Sequence, residues 1–251
     1  MKQEYNNYTN GDHKVWSLLF NRQMDTLSKH AAIEFVTGVN DVQFTAALIP
    51  DFIEVNELLK KQTGWQIQAV PGIMPNKEFF ELLATRHFPA TTWIRKPEQL
   101  DYLEEPDMFH DVFGHVPLLS NQHFCDFLTG LSEIALAHID NADIIELIGR
   151  VYWFTVEFGL ITQNDDTKIY GAGLASSIGE TKFSLQPSTP KHAFDVQAII
   201  DSPYRNDVFQ EKYFKINSLD ELNMSLPTLK RILETIRIQP SPHEITVKES
   251  L

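Results

Sequence analysis

Apolar residues recur at helical intervals from Val15 to about Val36, through Trp16, Leu19, Phe20, Met24, Leu27, Ala31 and Phe35, and predict one long amphipathic helix. The polar residues 1–13 before it read as a loose arm. A second helix is expected over Asp51–Gln62, with Phe52, Val55, Leu58 and Leu59 on one face and Gly64 as its stop. VPGIMP at 70–75 is a loop rich in turn formers, followed by a short helix near Asn76–Ala84, and FPATTWIR at 88–95 reads as an irregular strand. Pro106 suits the first position of a short helix reaching about residue 113, with Asp107 in its first turn. Two longer helices, Asn121 to about His138 and Asn141 to about Leu160, each open on a capping residue. Strand signals are confined to KIYG at 168–171 and KYFKI at 212–216, helices follow near 191–200 and 218–235, and the tail is polar. The expectation is a mostly α fold with minor β, in a single domain over 14–240 between the arm at 1–13 and a tail at 241–251.

Composition narrows the partners more than the fold. With 43% hydrophobic residues and 17 Phe, the chain can line a deep apolar pocket. The 34 acidic against 21 basic residues give a net charge of -13, which disfavours phosphate backbones and anionic membrane surfaces. A small-molecule partner is therefore expected, with no nucleic acid and no membrane. Cys125 is the only cysteine, so intramolecular disulfides and cysteine-rich metal sites are excluded and a reducing compartment fits. No signal-like segment and no apolar run of about 18 residues occurs, so a cytoplasmic location is expected.

The chemistry concentrates in EPDMFHDVFGHVPLL at 105–119, where His110 and His115 stand five residues apart. On an unbroken α-helix that step leaves two side chains about 140° apart. Gly114 and Pro117 suggest that the helix ends between them, which frees His115 to turn back toward His110. Asp107, three residues before His110, is a candidate to orient the ring of that histidine. The plain alternative is a pair of satisfied core histidines.

A third ligand candidate is Glu157 in VYWFTVEFGL at 151–160, whose helical neighbours Trp153, Phe154, Leu160 and Ile161 are all apolar. A carboxylate buried there without a partner would cost several kcal/mol or be forced neutral. Either a cation or a basic residue such as Arg150 would relieve it. Two imidazoles and a carboxylate form the facial triad of non-haem iron(II) oxygenases, and zinc hydrolases use the same ligand types. No H-E-x-x-H is present, and the other histidines (13, 30, 87, 123, 138, 192 and 243) have no partner spacing. YGAGLASSIGE at 170–180 superficially matches a dinucleotide loop, but Ser176 stands where the third glycine belongs. It reads instead as a tight turn presenting Ser176 and Ser177.

EPDMFHDVFGHVPLL, VYWFTVEFGL and IYGAGLASSIGE, in that order and spacing, closely resemble the aromatic amino acid hydroxylases from about Trp16 to the 210s. The length resembles the catalytic domain alone, without the regulatory domain or tetramerisation helix of the animal enzymes, and leaves the oligomeric state unknown. The compact form is most similar to the bacterial members acting on phenylalanine. The resemblance implies iron(II) on His110, His115 and Glu157, a tetrahydropterin co-substrate, O2, and hydroxylation of L-phenylalanine to L-tyrosine. Tyrosine or tryptophan hydroxylation is the alternative within the family. It also implies that Arg95 grips the substrate carboxylate through its planar fork. Pro106, Trp153 and Phe158 would line the substrate pocket, and Ser176 would bond the first ligand histidine. Met74, Phe79 and Asp111 would border the pterin. Leu103 departs from a hydroxyl residue of the animal relatives, and Ala175 and Ile178 differ within the glycine motif.

Overall fold

The first helix, α1, spans Asn10–His30 and is fixed by a capping box in which Thr9 and Asp12 satisfy each other's backbone N–H groups. The computed structural model describes residues 1–238 apart from Tyr102, Glu104, Asp207 and the side chains of 237 and 238. The expected tail at 241–251 lies outside the described residues. Where the sequence suggests a loose arm, the first residues are tied down. Gln3 accepts from Phe52 N–H and donates to the Pro50 carbonyl, and Tyr5 Oη donates to Ile49 O at 2.8 Å. Tyr8 Oη donates to Thr92 O at 2.5 Å.

The single helix expected over Val15–Val36 is two, α1 and α2 (Ile33–Asp41). Ala31 and Ala32 between them are extended, because Ala31 forms a β-bridge with Ile169 and Ala32 N–H donates to Ile169 O at 2.7 Å. A sheet edge has overridden the best helix former. Helix α3 (Phe52–Gln62) begins where Asp51 caps Ile53 N–H at 2.8 Å and ends before Gly64, at φ +79°. Helix α4 (Asn76–Ala84) lies between strands β1 (Gln66–Ala69) and β2 (His87–Ala90), which pair in parallel. Only the first part of the expected 88–95 strand is therefore paired.

The centre of the chain holds two π-helical segments. The first, Phe109–His115, runs straight into a 3₁₀ turn at Val116–Ser120 and then α5 (Gln122–Ala137), capped by Asn121. Pro106 lies before this helix rather than at its first position. Helix α6 (Ala142–Tyr152) widens into the second π segment, Trp153–Glu157. The expected helix through Leu160 thus stops earlier, and residues Leu160–Gln163 form β3. An Asn164–Asp165 turn with both φ positive joins β3 to β4 (Asp166–Ile169), the signature of a two-residue hairpin. Short helices α7 (Ala172–Ser176) and α8 (Ile178–Leu185) follow, so Ser176 sits on a helix and not in a tight turn. The helix expected near 191–200 divides into β5 (Lys191–Ala193) and α9 (Val196–Ile200). Strand β6 (Tyr213–Ile216) completes a four-stranded sheet ordered β4-β3-β6-β5, and α10 (Leu219–Ile238) packs on α5.

Phe109 and Phe113 stack at 4.7 Å on the buried side of the first π segment, and Trp16 meets both rings edge-on. The ligand-bearing turn therefore rests on a rigid aromatic layer. No helix among the described residues is long and apolar enough to cross a membrane.

Candidate metal centre

The two histidines converge for a reason other than the expected break at Gly114. A π-helix closes i→i+5 hydrogen bonds, so residues five apart lie one above the other. His110 and His115 both belong to the π segment Phe109–His115, and their Nε2 atoms stand 3.3 Å apart. Gly114 serves a different purpose: a Cβ there would lie 2.9 Å from Ala172 O and 3.1 Å from Ala172 Cβ, so its absence lets α7 lie directly on this turn.

Glu157 closes the site from the end of the second π segment. Its Oε1 is 3.2 Å from His115 Nε2 and its Oε2 is 3.6 Å from His110 Nε2. All three donor atoms fall within 4.8 Å of one another. Ligand atoms about 2.1 Å from a common ion would stand roughly 3.0–3.4 Å apart, so the donor triangle fits one divalent cation. Burial pushes the Glu157 carboxyl up, but His115, His110 and the Gly173 N–H outweigh it and hold the group below its ordinary value. Arg150, the basic residue weighed as its partner, instead pairs with Glu146 and donates to Ile200 O.

Helix α7 connects the two ligand segments. Ser176 Oγ donates to Ala172 O at 2.8 Å, which leaves its lone pair for His110 Nδ1 at 2.9 Å. His110 must then carry its proton on Nδ1, and Nε2 presents a bare lone pair to the centre of the triangle. A Cβ on Gly173 would lie 3.1 Å from Glu157 O and 2.9 Å from Phe158 Cζ. The glycine motif is therefore a close-packing surface against both ligand turns and has no dinucleotide loop geometry.

Asp107 does not orient the His110 ring. It is fully buried, and its carboxylate accepts from Arg95 Nε (2.9 Å), Arg95 Nη2 (2.8 Å), Arg95 N–H (2.9 Å) and His110 N–H (3.2 Å). It thus caps the ligand turn and anchors Arg95, whose guanidinium also lies over Phe109 at 5.9 Å. One edge of the Arg95 fork is spent on Asp107. Nη1 donates no hydrogen bond among the described residues, so the end of the fork has no protein partner there. Thr91, which sequence reasoning missed, holds Asp111 through its N–H (2.7 Å) and Oγ1 (2.9 Å). Burial raises the Asp111 carboxyl despite the opposing pull of His110 and Thr91.

Trp153 and Phe158 lie 4.6 Å apart, and Tyr204 stacks on Trp153 at 4.3 Å. Phe79 is half-buried, edge-on to Tyr152 at 5.5 Å, and Met74 is half-buried in the segment leading into α4. Pro106 is exposed. Tyr204 carries no sequence signal that distinguishes it from a surface aromatic.

Two histidines and one carboxylate define a mononuclear non-haem metal centre of the facial-triad class, in which Ser176 supports His110 and Gly173 N–H supports Glu157, while His115 Nδ1 is buried without a hydrogen-bond partner among the described residues. The model of the biopterin-dependent aromatic amino acid hydroxylases matches residues 3–248, and the chain belongs to that family. It is 42% identical over 243 residues to a phenylalanine-4-hydroxylase of Ralstonia nicotianae, covering 96% of this chain and 77% of that relative. A phenylalanine-4-hydroxylase of Caulobacter vibrioides is 43% identical over 226 residues, covering 88% and 75%. The fold is similar to that of Chromobacterium violaceum phenylalanine hydroxylase with bound iron(III) and 7,8-dihydrobiopterin, with a TM-score of 0.88 and 41% identity over 96% of this chain and 87% of that one.

Proposed function

We propose that this protein is a non-haem iron(II), tetrahydropterin-dependent monooxygenase that hydroxylates L-phenylalanine to L-tyrosine with O2. The observation that carries this reading is the His110, His115 and Glu157 triangle, built from one π segment and closed by a second. Iron held there would supply the centre at which O2 is activated with electrons from the reduced pterin. The protein's own part is to prepare and shield that centre. Ser176 sets the tautomer of His110, and Gly173 N–H supports the Glu157 carboxylate. The free edge of Arg95 holds the amino-acid carboxylate, while Trp153 and Phe158 face its ring. Phe79 and Met74, with Asp111 fixed by Thr91, border the pterin. The thiol of buried Cys125, pushed up to about 12 by burial, is inert and fits a reducing cytoplasm.

Purified protein with ferrous iron, a tetrahydropterin and phenylalanine should form tyrosine, faster than it converts tyrosine or tryptophan, and zinc should not replace iron. Glu157→Ala should lose iron-dependent turnover while keeping its far-ultraviolet circular dichroism. Background oxygen uptake with all three amino acids would sink the assignment, and an active Glu157→Ala variant would remove Glu157 from the metal site.

A further inference from the structure

Gln210 lies outside every motif that marks the site, yet it is only 4% exposed. Its amide is fully committed. Nε2 donates to Arg205 O at 2.8 Å and Val208 O at 3.2 Å, so the donor end faces the loop. Oε1 must then point the other way, and there it accepts from Trp153 Nε1 at 2.9 Å. An indole N–H has one donor and no acceptor, so a single bond of this kind fixes how the ring is turned about its side chain.

That indole is not a bystander. Trp153 opens the second π segment, and Phe158 N–H donates to Trp153 O at 2.8 Å, across the turn that carries Glu157. Tyr204, from the same loop that Gln210 gathers, stacks on Trp153 at 4.3 Å with the planes 17° apart. Beneath the loop, Tyr213 Oη donates to Glu180 Oε2 at 2.6 Å, and both residues are buried. The Gln210 backbone N–H also bonds Glu180, so this one residue joins α8 to the aromatic wall beside the metal ligand.

We propose that Gln210 is a positioning residue for substrate recognition: by accepting from the Trp153 indole while its amide N–H groups hold the Arg205 and Val208 carbonyls, it sets the angle of the aromatic wall that selects the substrate ring. The idea rests on the proposed hydroxylation of an aromatic amino acid, but the bond itself can be read without turnover. A neutral hydrogen bond contributes about 0.5–1.5 kcal/mol. Gln210→Leu should therefore raise the Michaelis constant for phenylalanine about three- to tenfold with much less change in kcat, because ground-state and transition-state binding weaken together.

Three comparisons test the assignment. Gln210→Glu keeps an oxygen for Trp153 but forfeits both donors to the loop, so its Michaelis constant should fall closer to wild type than that of Gln210→Leu. In a Trp153→Phe background, which has no indole N–H, Gln210→Leu should add little further effect. Independently of activity, the emission attributable to Trp153, obtained by subtracting the Trp153→Phe spectrum, should shift in Gln210→Leu and move less in Gln210→Glu. An unshifted Trp153 emission overturns the proposal whether or not phenylalanine is a substrate. So does an equal rise in the Michaelis constant with and without the indole N–H, or a Gln210→Glu variant no better than Gln210→Leu. Absence of phenylalanine hydroxylation by the wild type, with the emission shift intact, would fail the functional reading alone.

Discussion

Removing the Arg95 side chain should cost stability before it costs binding, because of what it leaves behind. Asp107 is 0% exposed and the Arg95 side chain 9% exposed, so the pair is desolvated on both sides. Arg95→Ala deletes the bonds from Nε and Nη2 at 2.9 and 2.8 Å and leaves the carboxylate only two backbone N–H donors, those of Arg95 itself and His110. Breaking a buried pair by removing one partner costs about 3–5 kcal/mol. The two remaining backbone bonds place the expectation at the lower end, about 3 kcal/mol, or roughly 6–12 °C in Tm for a chain of this size. Urea unfolding of the metal-free protein would measure it. The double variant Arg95→Ala with Asp107→Ala should recover part of the loss, because no unpaired charge is then buried. The Michaelis constant for phenylalanine should also rise at least tenfold in Arg95→Ala, through loss of charge-assisted hydrogen bonds worth about 1.5–3 kcal/mol each. A loss below about 1 kcal/mol, or a double variant less stable than Arg95→Ala by the full cost of a second independent lesion, would refute the view that the guanidinium neutralises Asp107.

Two further outcomes follow from the second layer of the site. Ser176→Ala removes the acceptor for His110 Nδ1–H and should weaken iron binding about 10–100-fold in a chelator competition, and an unchanged affinity would show that the serine does not set the tautomer. Burial raises the Glu180 carboxyl above its ordinary 4.5, although Tyr213 and the Gln210 N–H pull it down, so the folded state binds more protons than the unfolded one. Stability should then decline as pH climbs from 4.5 through the raised folded value, and Glu180→Gln, which still offers an oxygen to Tyr213, should flatten that decline in urea midpoints; an unaltered pH profile would refute it.

Much of the fold is legible wherever the signals are local. Helix α4 falls on the expected bounds, and α3 and α5 start one residue after the capping residues that mark them, because cap, apolar face and stop all lie within the element. The misreadings share a cause in distant backbone. Ile169 draws Ala31 and Ala32 out of a helical pattern, and β3 was hidden in an apolar run that only its pairing with β4 and β6 makes extended. The Asn164–Asp165 pair was the one local sign of that hairpin. Asp107 was misassigned because helical proximity to His110 says nothing of Arg95, whose backbone and fork reach it from a different segment.

The spacing of the histidines was informative, but for a different helix. Five residues is an awkward step on an α-helix and one full i→i+5 repeat on a π-helix, and Gly114, which resembled a stop, is the place where α7 crosses. The second motif repeats the geometry. Trp153 and Phe158 are also five apart, Phe158 N–H donates to Trp153 O, and their rings meet at 4.6 Å. One wide turn thus superposes the two histidines and the other superposes two aromatic rings. π segments inside α-helices concentrate at functional sites, since the poorer backbone geometry is retained only where the altered register serves a purpose. Here the purpose is visible in the side chains: an α-helical register would place each pair about 140° apart around its axis and dissolve the ligand pair and the aromatic wall together.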